Sequence, residues 1–300
     1  MKEGIMMTKN ELLLKLHLAA GIGLKGELRL AALLAQLPDN FDLAHLSVER
    51  LANFAHLKGA ARHRFCVDFT GDTLQQQVQR HQHEAQWVTI LDAVYPVQLK
   101  EIYQPPSVLF YQGNLQCLQR PLVTFVGARQ ATDYSRRIIN ALVPELCKRE
   151  FGVVSGLAAG ADSMAHLAAL HAQGSTIAVI GTGLDQVYPR QHQSLQMRIG
   201  QVGLVLSEFP LGTPPNRYNF PQRNRILAGL CQALCVTEAR HRSGSLITAN
   251  QALNENRNVL AVPGPVDAPL SVGCNELIQA GAKPLLTVAD LLTEIQDFTL

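Results

Sequence analysis

The feature that most constrains this chain is a unit that recurs from residue 122 onward: a short apolar run, a glycine-rich turn, then a helical stretch. The runs are Leu122–Val126, Gly152–Val154, Thr176–Ile180, Gly203–Leu206, Leu234–Thr237 and Asn258–Val262. Their length and β-branched content suit strands buried on both faces of a parallel sheet. Stretches between them, such as Ser135–Glu150 and Ser163–Gln173, supply crossover helices. The pattern predicts an α/β fold with an open, doubly wound, mostly parallel sheet, closed by Leu285–Val288 and Ala289–Ile295. Upstream, Trp87–Ile90 and Val108–Tyr111 read as further strands, separated by Tyr95-Pro96 and Pro105-Pro106.

The N-terminal part has a different texture. Glu11–Ala20 and Glu27–Leu37 carry leucines at helical spacing, with Gly21-Ile22-Gly23 as a tight turn between them. Leu46–Phe54 and Gly59–Val67 add two more short helices, which makes a small all-helical module of helix-hairpin-helix or SAM-like type. Turn glycines in such modules either touch DNA phosphates or simply permit packing, and packing is the preferred reading here. Residues 70–86 are polar with no β-branched run, so they read as a solvated helix or linker, and His81 and His83 as a wet helix face rather than a metal site. The expected organisation is a helical domain over 1–70, a linker over 71–85 and an α/β domain over 86–300. A chain of 300 residues accommodates one large and one small domain, and 47% hydrophobic residues argue against disorder.

Several function classes are excluded at this level. The six cysteines are scattered with no C-x-x-C pair, so neither a zinc site nor a redox pair is expected; free thiols suit a reducing cytosol. There is no signal-peptide pattern and no apolar run of about eighteen residues, so a membrane span is not expected and the protein is read as cytoplasmic. The formal net charge is only +2, so any polyanion site must be a local concentration of charge.

In open α/β sheets ligands bind beyond the carboxyl ends of the strands. Those positions hold Gly127-Ala128-Arg129, Ser155-Gly156-Leu-Ala-Ala-Gly160-Ala161-Asp162, Gly181-Thr-Gly183 with Tyr188-Pro189-Arg190, Ser207-Glu208, Glu238 with Ser243-Gly244-Ser245, and Pro263-Gly264. Glycine lets backbone amides approach a ligand, and a helix N-terminus adds free donors. The turns at Gly127 and at Gly156–Asp162 therefore form a candidate phosphate cradle. Nucleotide-cofactor fingerprints fail: Gln186 stands where G-x-G-x-x-G needs its last glycine, and no Walker motif exists. No cofactor is expected.

Between Asn216 and Ser245 stand Arg217, Arg223, Arg225, Arg240 and Arg242, with Tyr218 and Phe220 among them and Glu238 as the one acid. Arginines for phosphates and an aromatic face for a base describe a single-strand binding site; the alternative is a solvated loop with Phe220 buried. Catalytic arrangements are unconvincing. Asp162 or Ser163 reads as a helix N-cap, His166 as a packed histidine, and Glu208 and Glu238 as acceptors that orient arginines. No catalytic residue is assigned.

Taken together, Val126-Gly-Ala-Arg129, Ser155–Asp162 with His166, Gly181-Thr-Gly-Leu-Asp185 with Tyr188-Pro189, Ser207-Glu208, Phe220-Pro-x-Arg223-Asn-Arg225, Ser243-Gly-Ser-Leu-Ile-Thr248 and Val262-Pro-Gly264 resemble, in order and spacing, the signature of the DprA/Smf family. The resemblance covers roughly residues 86–295. It implies an extended Rossmann-like domain that binds single-stranded DNA, forms tail-to-tail homodimers, and delivers DNA to the RecA recombinase during natural transformation. The pocket it implies uses Arg129, Arg190, Arg217 and Arg223, with Phe220 as base platform and Gly127 and the Ser155–Gly160 turn (Gly156 included) on phosphates; Arg225, Ser243 and Gly244 complete the assigned site. The implied dimer contact lies at Asn275, Ile278 and Leu285. The N-terminal region would be the family's SAM-like module. Two departures stand out. Ala161 occupies a position where many members have isoleucine, and the C-terminal winged helix of some members is not expected here. The competing reading is a Rossmann-type nucleotide phosphoribohydrolase, but its P-G-G-x-G-T-x-x-E motif is broken by Pro265 after Pro263-Gly264. A protein-interaction scaffold without a DNA site is a third reading.

Overall fold

A computed structural model of the protein describes residues 7–296. The chain divides into two compact units, one ending at Phe110 and the other starting at Tyr111.

The first unit opens with five helices: α1 (Lys9–Leu18), α2 (Gly23–Gln36), α3 (Val48–Phe54), α4 (Gly59–Phe69) and α5 (Asp72–Glu84). Thr8 and Glu11 form a reciprocal capping box that starts α1. Leu13, Leu14 and Leu16 of α1 are fully buried, as are Leu30, Leu34, Leu51 and Phe65 from the following helices. Helix α5 occupies the segment expected as a linker. Its side chains at 74, 78 and 81 fall on one face, and all three are buried. The His81 ring lies 5.3 Å from Phe110, so this segment packs within the first unit instead of acting as a spacer. The unit continues through β1 (Gln86–Thr89) and α6 (Val97–Lys100) into β2 (Val108–Gly113), and the boundary between units falls inside β2.

The second unit alternates strand and helix: β3 (Leu122–Val126), α7 (Asp133–Lys148), β4 (Gly152–Ser155), α8 (Ala161–His171), β5 (Thr176–Ile180), α9 (Gln193–Val202), β6 (Leu204–Ser207), α10 (Asn219–Leu230), β7 (Ala233–Val236), α11 (Gly244–Asn254), β8 (Asn258–Ala261), α12 (Val272–Gln279), β9 (Lys283–Pro284) and α13 (Val288–Gln296). Within this unit the strands run in the order β6-β5-β4-β3-β7-β8-β9. Every pairing among them is parallel. The doubly wound parallel sheet read from the sequence is therefore present, and residues in all of β3 to β7 are buried, as strands covered on both faces require. One core joins Val123, Phe125, Ile139, Leu142, Val153, Ala165, Cys235 and Leu260.

The closing strand lies at Lys283–Pro284 rather than Leu285–Val288. Leu285 turns into the core, and the Asp290 carboxylate accepts from the amides of Leu286 (3.0 Å) and Thr287 (2.7 Å), which starts α13 there. Among the described residues no helix is long and apolar enough to cross a membrane, and no cluster of three or more His, Cys, Asp or Glu side chains is placed to hold a metal ion.

The strand order locates the crevice. From β3 the chain winds outward through β4, β5 and β6, then returns to place β7 on the other side of β3. Loops leaving the carboxyl ends of β3 and β7 therefore diverge, and a cleft opens between them.

Candidate functional site

At that switch point lies a groove of about 820 Å³. Its walls come mainly from Val126–Gln130 after β3, Arg240 and Ser243–Ser245 after β7, and the approach to α10 with its first turns, from Arg217 to Leu227, with Ala158 and Asp162 after β4 and Tyr188 after β5 completing them. Side-chain bonds hold the two turns together. Glu238 accepts from the Thr132 amide (2.7 Å) and hydroxyl (2.8 Å), Ser245 Oγ donates to the Gly127 carbonyl (2.8 Å), and the Ser135 and Thr237 hydroxyls are 2.9 Å apart.

Arg129, Arg217 and Arg240 are exposed along this groove, and among the described residues none of them sits in an ion pair. Asp162 is the one acid in its lining, and it is buried. The Phe220 ring is backed by Gly181, where an added Cβ would lie 3.0 Å from Phe220 Cδ1. The Arg129 guanidinium sits over the ring, 6.0 Å from its centroid, within cation–π range. Helix α11 starts in the groove wall without a side-chain cap, and Ser243 Oγ at its N-cap is buried without a hydrogen-bond partner among the described residues. A helix start without a side-chain cap presents its first amides to a nearby anion.

Of the residues assigned from sequence, Gly127, Arg129, Arg217, Phe220, Arg223, Ser243 and Gly244 line this groove; Ser155, Gly156, Gly160, Arg190 and Arg225 do not. The turn after β4 is closed on itself. The amides of Gly156 and Ala158 donate to Asp162 Oδ2 (3.1 and 3.3 Å), the Ala161 amide to the Ala128 carbonyl (3.2 Å), and Ser155 Oγ to the Phe125 carbonyl (2.7 Å). Three amides of the expected cradle, those of Gly156, Ala158 and Ala161, are therefore already engaged within the protein. Asp162 is thus a loop clasp and not the N-cap of α8, a position taken by Gly160 at φ +77°. Ser163 Oγ donates to the Gly160 carbonyl (2.9 Å). Gly127 is also a packing glycine: a Cβ there would lie 2.6 Å from Ala161 Cβ and 2.7 Å from Thr237 Oγ1. Ala161, the position that departs from the family pattern, fills that contact.

Arg223 is 5% exposed, and its guanidinium donates to the carbonyls of Gly156 (2.7 Å) and Val179. Burial lowers its pKa to about 10, and the same burial raises the Asp162 carboxyl despite the Arg223 charge nearby. Arg223 therefore braces the closed turn and is not free to meet a phosphate. Arg225 pairs with Glu208. Of the two strand-end acids, then, only Glu208 holds an arginine; Glu238 holds Thr132. Arg190 is exposed in a short 3-10 turn, Arg190–His192, outside the groove lining. His166 is a packed histidine: Nδ1 lies 2.7 Å from Thr176 Oγ1, and burial pushes its pKa down to about 3.

The residues assigned to a dimer contact have intrachain roles in two cases out of three. Leu285 is 1% exposed within its own core, and the Asn275 amide brackets Gly264, accepting from its amide (3.3 Å) and donating to its carbonyl (3.0 Å). Ile278 on α12 is half-buried. Sequence reasoning left Arg240 and Tyr188 off the site. Arg240 belonged to the recognised basic stretch, and Tyr188 follows β5 at a strand end, so both carried a signal.

A parallel sheet with an arginine-lined crevice at its switch point defines this as a Rossmann-like α/β protein whose site suits an extended anionic ligand. The chain belongs to the DNA recombination-mediator protein A family, whose model matches residues 86–296. The DNA processing protein DprA of Streptococcus pneumoniae is 48% identical over 208 residues, which cover 69% of this chain and 73% of that protein. An X-ray structure of DprA from the same species superposes with a TM-score of 0.85 at 38% identity, covering 94% of this chain and 96% of that one. A structure of DNA processing protein A from Helicobacter pylori, concerned with its single-stranded DNA binding mode, superposes with a TM-score of 0.64 at 29% identity, covering 71% of this chain and 97% of that one.

Proposed function

We propose that this protein binds single-stranded DNA in the groove between the β3 and β7 turns, shields it, and loads the RecA recombinase onto it during natural transformation. The observation that carries the reading is the convergence of Arg129, Arg217 and Arg240 with the Phe220 ring in one groove whose sole acid is buried. Cationic side chains neutralise successive phosphates, and an aromatic face takes a base of any identity, worth about 1–3 kcal/mol per base. The uncapped start of α11, with Gly244 exposed in the groove lining, offers amide donors to one phosphate. Binding rather than turnover is further supported by Glu208 and Glu238, whose carboxylates are engaged by Arg225 and Thr132. Family membership supports the single-stranded ligand, the recombinase as partner, a cytoplasmic setting, and pairing of two copies through the Ile278 face of α12.

The test is a gel-shift comparison of oligo-dT with a duplex of equal length across salt. Tight binding to the single strand that weakens steeply with salt is the expected result. Equal affinity for both forms, or an affinity untouched by Arg129→Ala and Arg217→Ala, overturns the assignment.

A further inference from the structure

The groove holds a second aromatic ring that the reading above does not use. Tyr188 lines it, is 41% exposed, and its hydroxyl has no hydrogen bond among the described residues. Its ring centroid is 5.4 Å from that of Phe220, with 40° between the planes. That separation lies within the range of paired aromatics and is too short to admit a base between the rings. The two rings therefore form one continuous apolar surface, with Phe220 backed by Gly181 and the Arg129 guanidinium above it. A large aromatic side chain left this exposed gives up the burial that normally stabilises it, and here the exposed face is turned to a ligand groove.

We infer that Tyr188 and Phe220 make a two-ring platform on which two neighbouring bases of the bound strand stack, with Tyr188 acting on bases and not on phosphates. The inference rests on the single-stranded DNA reading of the groove and assigns a recognition role to a residue outside the arginine set. Stacking on Tyr188 adds affinity that every base identity shares, since each offers a π face. It adds nothing for a backbone without bases, and it leaves the number of phosphate contacts unchanged.

The experiment uses the full chain and two ligands of equal length: oligo-dT and an oligomer of abasic residues. Tyr188→Leu is expected to weaken oligo-dT binding about tenfold. It should leave abasic binding within about twofold and the salt slope unaltered, whereas Tyr188→Phe should keep oligo-dT affinity. A loss shared equally by both ligands means that Tyr188 merely supports the fold of the groove and overturns the platform. So does an unchanged oligo-dT affinity. Should Tyr188→Leu fail to fold, Tyr188→Trp takes its place. Trp87 is the one native tryptophan, so emission from the new indole is read by difference and is expected to be quenched by oligo-dT and not by the abasic oligomer; absence of quenching overturns the proposal. Arg129→Ala separates the two levels. If it binds as wild type, the groove reading itself has failed. If it binds weakly while Tyr188→Leu is unaffected, only the platform has.

Discussion

The turn after β4 and the turn after β7 have nearly the same composition and opposite uses. Ser155–Asp162 is rich in glycine, alanine and serine, Ser243–Ser245 is Ser-Gly-Ser, and both follow a strand's carboxyl end and lead into a helix. The first is braced from within: Asp162 takes two of its amides, the Ala128 carbonyl takes a third, and the Arg223 guanidinium caps the Gly156 carbonyl. The second keeps a helix start with no side-chain cap, and the Ser243 hydroxyl beside it is buried without a partner among the described residues. Glycine serves compaction in one and leaves donors open in the other. A glycine-rich strand end is thus a phosphate site only when its own neighbours leave its amides unspent.

Substitutions should separate the two turns, most strongly at the closed one. Arg223→Ala would leave the buried Gly156 and Val179 carbonyls without their donor and remove the positive charge near buried Asp162, and each buried group left unsatisfied costs about 1–3 kcal/mol. Urea unfolding should show that loss, while Arg129→Ala stays within about 0.5 kcal/mol of wild type in the same assay. Comparable stability for both variants would remove the distinction between bracing and binding arginines.

The glycines give the next contrast. At Gly160, φ +77° and an Ala128 carbonyl oxygen only 2.3 Å from an added Cβ predict that Gly160→Ala destabilises by about 1–3 kcal/mol or more. Gly244 has nothing within 4 Å of such a Cβ, so Gly244→Ala should leave the melting temperature nearly unchanged.

The core beneath the closed turn has a pH signature. His166 is held neutral in the folded state, with its pKa lowered to about 3 from 6.5. Between those values the unfolded chain binds a proton that the native one refuses. This part of the stability is therefore complete above pH 6.5 and declines as pH falls, by about 1.4 kcal/mol per pH unit. A His166→Asn variant should show a shallower acid loss in denaturant titrations between pH 6.5 and pH 4; identical slopes would mean that the imidazole is charged in the native state.

On the open turn the effects are smaller and confined to ligand. Arg217→Ala and Arg129→Ala should each lower the slope of log affinity against log salt by about 0.7, the value for one phosphate contact on a single strand, without loss of stability.

Much of this molecule was legible beforehand. The runs at Leu122–Val126 and Thr176–Ile180 read as buried strands because β-branched and aliphatic residues bounded by glycine leave few alternatives, and both are strands. Helix α5 was less legible: its polar composition masked the apolar stripe of Leu74 and Val78, because three buried positions in thirteen hardly register in an average. Arg217 and Arg223 are the same residue type six positions apart, one exposed before α10 and the other turned inward within it against Gly156 and Val179. No property of the local sequence separates them.

The amino-acid order dictates the alternation of apolar strands and amphipathic helices, and with it a parallel sheet whose loops gather glycine, hydroxyl and arginine side chains on one rim. Which of those loops became the groove was decided only in three dimensions, by the pairing of β3 with β7 in the register Val123 to Ala233. Strand-end composition is a local property. An amide's availability depends on which distant carboxylate or carbonyl reaches it first, and chain folding alone sets that.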